Sequence, residues 1–521
     1  LAVGGGTLVL GHGTTVAADV ELSSGTLSIG SANAAEVTGD LSWTGGTING
    51  GGTLTQRGRF LQTGNTTVYL RDGTLLDHVN ASGDSRIANT SASGFNLENG
   101  AVFRNSGVLR LDVAGSSSVM YIDHDSGSAG SFVNTGTLIK SGSGRLDFGS
   151  FGLAELTQNG TLQIEQGRVT LGVISTTAPA HLLAGQHVIG ANGSLEIVAA
   201  PGTTVTANAG AAATFSGSGP LMISGGTLML ADGLDLGITV RQSGGYLAGS
   251  GDNALTGRYE WTGGDVSGSG TLTVSGVLQL SGGNSFGLNG RSMVHTNASG
   301  NSSLYKPGGY FYLGGNATFT NAAGATLYID TASNTNAGAW YQSGSAGSFV
   351  NAGTLVKQGN GTFNFWSPIR FINTGSFTVA QGAVMADGFT NNPGVLQLLS
   401  GTSFSTSGSA LTSTGTIAGH GTLIVGSTGL LNRGVVAPGG ADTVGTLRIT
   451  GQYVQGADGT LQIERGSAGT DALIVSGAAT LGGTLAVTQL AGYQPTGLQT
   501  DIVSANTLSG SFASVTLPSG Y

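Results

Sequence analysis

Cysteine is absent from all 521 residues, so neither a disulfide framework nor a thiolate metal site is available to this chain. Charge is scarce too: Lys, Arg, Asp and Glu make up 9% of the residues. The 18 basic residues nowhere gather into the run that nucleic-acid binding requires, and the net charge is −9, so no nucleic-acid partner is expected. No apolar stretch reaches the roughly 20 residues of a membrane-spanning helix, because Gly, Ser, Thr or Asn interrupts every few positions. Proline numbers only 9 against 95 glycines, and the glycines are not spaced in threes, which excludes collagen. An apolar fraction of 39% excludes a disordered glycine-rich linker. The opening LAVGGGTLVLG has neither a basic segment nor a cleavage pattern, so any leader is expected to be gone already.

What the chain has instead is repetition. Gly-Thr-aliphatic starts recur at Gly6, Gly25 and Gly46 and again at Gly421 and Gly445, a period in the range that marks stacked repeats. Within each repeat the apolar period is two, as in Leu272 and Val274 or Leu162 and Ile164, which predicts strands. No run of good helix formers persists for three turns. Short strands joined by Gly-rich corners at this period predict an all-β fold: one elongated parallel β-helix of roughly 20–25 coils, expected to be right-handed.

The most specific local signal is an apolar residue, an amide two positions on and a Gly two after that. It places Gln56, Gln62, Asn105, Asn134, Gln158, Asn351, Asn373 and Asn432 at corners. Such amides are expected to form a structural ladder, with each following Gly supplying the positive φ of a tight corner.

A longer repeat lies over the short one. GSFVNTGTLIKSGSG from Gly130 is nearly copied as GSFVNAGTLVKQGNG from Gly347, so that Phe132 and Phe349 hold the same place in two copies. At nearly the same offset Trp43 matches Trp261, and His78 matches His295. The expected organisation is N-terminal coils over 1–37, a first module over 38–175, divergent connecting coils over 176–255, a second module over 256–390 and C-terminal coils over 391–521.

The WTGG and GSGTLTVSG strings, the paired SGSAGSFVN segments and the stretch Gly434 to Leu485 resemble large exported bacterial β-helix proteins. These are the autotransporter passengers and filamentous-haemagglutinin-like adhesins. The resemblance covers nearly the whole chain and implies an extracellular or cell-surface location with an adhesin-like or structural role. In that family the phrase FASVTLPSGY is usually followed by further strands, whereas the sequence stops at Tyr521 and opens in mid-repeat at Leu1. Open solenoid ends without caps suggest head-to-tail stacking of the chain on itself into a filament or sheath. Glycans or proteins of a host or surface are the other expected partners.

β-Helices also host carbohydrate-active enzymes, which need converging carboxylates. The best local set, Asp123, His124 and Asp125, has no counterpart in the second copy, and Glu165 faces Ala380 there. Glu464, Arg465 and Asp471 are expected to decorate the surface. The seven histidines are scattered and no calcium-binding repeat is present, so no catalytic residue, metal or cofactor is expected. Aromatic residues crowd into SLYKPGGYFYLGG, where Tyr305, Tyr310, Phe311 and Tyr312 are candidates for stacking on sugar rings, with Trp340, Tyr341 and Trp366 nearby.

Overall fold

The structure is a computed structural model that describes residues 1–89, 93–149, 154–173, 180–199, 203–332, 336–341, 344–427, 429–493 and 501–518. The expected module break at 175/176, the AWYQSG residues 342 and 343 and the last three residues of FASVTLPSGY lie outside these. All regular elements among the described residues are strands, as the period of two predicts. Their pairing is that of a parallel β-helix. The chain divides into two compact units, Leu1–Glu260 with Gly264–Gly270, and Trp261–Gly263 with Thr271–Tyr521.

In the first unit one coil consists of the strands Ser131–Asn134, Thr137–Ser141 and Arg145–Phe148. Each pairs in parallel with its counterpart in the next coil, so Phe132 lies against Leu156, Leu138 against Leu162 and Leu146 against Val169. The three strands close a three-sided coil around an apolar interior. Phe132, Leu138 and Leu146 have no exposed surface, and neither does Lys140. Interior rings meet from coil to coil, with Phe103 stacked on Phe132 at 5.0 Å. The second unit repeats the arrangement with Ser348–Asn351, Thr354–Gln358 and Thr362–Phe365, and Phe319 meets Phe349 at 4.9 Å.

Coil length varies more than the spacing read in the sequence. Ala2 pairs with Glu21 at the N-terminal end, but Phe103 pairs with Phe132 across a coil that is half as long again. The added residues lie in surface turns such as His124–Ala129, which leave the strand register intact. Loops absorb insertions there at little entropic cost.

Gly64, which follows Gln62, has the expected positive φ of 115°, but other corner glycines serve a different purpose. Gly136 and Gly353 are not in the positive-φ region. A Cβ on Gly136 would instead run into the Gly107 carbonyl oxygen, and one on Gly353 into that of Ala322. Close stacking of backbone on backbone, rather than a left-handed turn, is what requires glycine here.

Candidate functional site

The amide corners lie inside the coils. In the first unit His78 Nδ1–H donates to Asn105 Oδ1 (2.8 Å), Asn105 Nδ2 to Asn134 Oδ1 (2.7 Å), and Asn134 Nδ2 to Gln158 Oε1 (2.8 Å). Asn105 and Asn134 also donate to the carbonyls of Thr137 and Thr161, tying each corner to the next coil. The chain of amides ends where Leu183 stands opposite Gln158. In the second unit His295 leads to Asn321, Asn351, Asn373 and Asn392 over 2.8–3.2 Å steps. Asn432 pairs separately with Gln455 at 2.9 Å. Gln56 turns instead to the carbonyls of Gly39 and Arg59, and Gln62 is buried on another sheet opposite Trp43 and Ile87. His78, His295, Asn321 and Asn392 escaped the sequence pattern. Their signal was the shared spacing after an apolar residue, as in Leu76-x-His78 and Phe319-x-Asn321.

The acidic candidates do not converge. Asp123 is buried and accepts the His124 amide (2.9 Å), whereas Asp125 is exposed and accepts from Tyr69 Oη (3.4 Å). Glu165 pairs with Arg110 at 2.7 Å. Glu464, Arg465 and Asp471, expected at the surface, are buried. Glu464 accepts the amides of Asp442 and Thr443, and Asp471 those of Gly445 and Glu464. Asp442, Thr443 and Gly445 lie in an irregular loop whose donors lack strand partners, so the carboxylates are drawn inward to satisfy them. Burial raises the Asp471 pKa to about 7 against the pull of these amides. Among the described residues no group of three His, Asp or Glu side chains could hold a metal ion.

The aromatic candidates divide between the two faces of their strand. Tyr310–Gly314 pairs with Asn336–Trp340, which pairs with Thr362–Phe365. Phe311 points inward, has no exposed surface, and packs against Phe286 and Phe319 at 5.5 and 5.6 Å. It is therefore not part of any exposed face. Its neighbours Tyr310 and Tyr312 point outward by alternation, and Trp340 and Trp366 join them from the two following coils.

These four rings form one cluster. Trp340 and Trp366 lie 5.2 Å apart at 36°, and Tyr310 meets them edge-on at 4.7 and 5.4 Å. Tyr312 stands 5.9 Å from Tyr310. Gly338 makes this possible. It lies opposite Tyr310 and presents no side chain, so the tyrosine ring reaches across to Trp340 and on to Trp366. A Cβ at Gly338 would run into the Asn364 carbonyl oxygen, so the gap is built in. Trp340 is 37% exposed. Tyr305 is 40% exposed but on another sheet, opposite Ser281 and Asp330, and Tyr341 is half-buried; among the described residues neither has a ring contact with the cluster.

Past Trp366 the chain turns, with the Ile369 amide donating to the Trp366 carbonyl (2.9 Å), and enters the wall of an open cavity of about 400 Å³. Arg370, Asp387, Thr390 and Asn391 line it with the turn residues. Asp387 Oδ2 accepts the Ser367 amide at 3.1 Å. Comparison with known proteins finds no family model and no curated protein that matches the chain.

Proposed function

We propose that this protein is an adhesin-like β-helix of the extracellular space or cell surface, exported in the manner of autotransporter passengers or haemagglutinin-like proteins. It acts through its surface by holding glycans. One observation carries the reading: the outward cluster of Tyr310, Tyr312, Trp340 and Trp366. Exposed aromatic clusters on a rigid scaffold mark contact surfaces, because a flat ring gives up contact area to water and recovers it only against a partner. Sugar rings offer apolar C–H faces of matching size. A parallel β-helix is a suitable carrier, since side chains on successive coils are fixed about 4.8 Å apart and need no ordering on binding. The lack of cysteine accords with passage across an envelope as an unfolded chain.

The test is a glycan array probed with the full chain, with Tyr310→Ala plus Tyr312→Ala, and with Trp340→Ala plus Trp366→Ala. Binding to a defined set of sugars that both double variants lose supports the reading. Binding that survives in both overturns it, as does an array with no bound sugar.

A further inference from the structure

Arg370 opens the strand Arg370–Asn373 with its side chain exposed to the cavity beyond Trp366. Among the described residues it has neither an ion pair nor a side-chain hydrogen bond, unlike Arg145 and Arg168, which pair with Asp147 and Glu196. Asp387 lines the same cavity without pairing to it, and offers Oδ1 while Oδ2 holds the Ser367 amide. Thr390 and Asn391 add a hydroxyl and an amide. The wall thus carries one unneutralised guanidinium, an acceptor oxygen and two neutral polar groups. Hydroxyl-rich ligands are recognised by such mixed acceptors and donors, and a planar guanidinium is suited to bidentate pairing with a carboxylate.

We infer that the Arg370 cavity is the subsite for a carboxylated sugar residue, a hexuronate, of a chain whose neighbouring residue stacks on Trp340 and Trp366. This rests on the glycan-binding reading of the aromatic cluster. The continuity of the chain supports it, since the cavity wall begins at Ser367, the residue after Trp366. Asp387 accepts sugar hydroxyls at Oδ1, and its own negative charge turns the ligand carboxylate away from itself and toward the Arg370 guanidinium. The volume, about 400 Å³, lies in the range of small-ligand sites.

The experiment uses two probes, an oligohexuronate and the same oligosaccharide with its carboxyls reduced to primary alcohols. Affinities are measured by calorimetry for the full chain, Arg370→Ala, Arg370→Lys, and Trp340→Ala plus Trp366→Ala. The full chain is expected to prefer the acidic probe by about tenfold or more, the scale of one charged hydrogen-bonded contact. Arg370→Ala should abolish that preference and leave binding of the reduced probe unchanged, with Arg370→Lys intermediate. Equal affinity for the two probes, a preference that survives Arg370→Ala, or no binding of the acidic probe overturns the inference. The double tryptophan variant should weaken both probes alike. If it changes neither while the Arg370 preference holds, the platform reading fails and the carboxylate subsite stands.

Discussion

Lys140 and Lys357 hold the same place in the two near-copies. Lys140 Nζ donates to the carbonyls of Ser141, Gly142 and Gln166 over 2.7–3.1 Å, and Lys357 Nζ to those of Gln358, Gly359 and Gln381 over 2.7–3.2 Å. Both side chains are buried, and each ammonium closes a corner by collecting two carbonyls of its own turn and one of the next coil. Lys306 is held similarly by Gly282 and Asn284, with its ammonium 4.3 Å from the centre of the Phe286 ring.

Burial lowers the pKa of all three lysines from 10.5 to about 8. Between those values the unfolded chain binds more protons than the folded one, so stability rises with pH across that window. Denaturant midpoints measured from pH 7.5 to 10.5 should increase, and the increase should shrink in the triple variant Lys140→Met, Lys306→Met, Lys357→Met. An unchanged slope in that variant would remove these ammonium groups as its source.

Acid should act in opposite directions around the two buried histidines His181 and His187 and around Asp471. Burial holds His181 and His187 near pKa 4, so the stability tied to their neutral forms declines as pH falls from 6.5 to 4. The raised pKa of Asp471 has the reverse sign: the folded form binds the proton first, and stability grows as pH falls from about 7 to 3.8. Hydrogen exchange, corrected for intrinsic rates, should show protection decreasing around Leu156 and Thr214 and increasing around Gly445. Identical trends at both places would contradict this assignment.

Replacing Asn134 by Leu should destabilise the first unit by about 1–3 kcal/mol, because Asn105 loses its acceptor and Gln158 its donor inside the coil. Chemical denaturation with segment-resolved exchange checks both the size and the place. A change below about 0.5 kcal/mol would mean the amide chain is dispensable.

Two glycine substitutions separate crowding from conformational preference. Gly136→Ala drives a Cβ against the Gly107 carbonyl and should cost about 1–3 kcal/mol or more. Gly283 has ordinary φ and nothing within 4 Å of an added Cβ, so Gly283→Ala should fall within about 0.5 kcal/mol of wild type. Thermal midpoints of the two proteins measured side by side decide the matter.

The sequence by itself determined the strands, the coil and the positions of the corners. An apolar period of two leaves a strand with one buried face, and a Gly or amide recurring at each turn leaves little choice of where the chain bends. It also determined that Tyr310, Phe311 and Tyr312 must alternate. Only the tertiary structure decided which of them is inside. Phe311 takes the interior because its register places it opposite Phe286 and Ala339, positions already committed to the core. The aromatic cluster joins residues from Tyr310 to Trp366 that become neighbours only through coil lengths set by surface loops, and it depends on the empty position of Gly338 between them. Glu464 and Asp471 went inside for a similar reason: they satisfy backbone amides of Asp442, Thr443 and Gly445, which belong to a loop of the preceding coil. Alternation is a local property of the chain. Register between coils is a property of the folded stack, and it is register that decides which side chains meet.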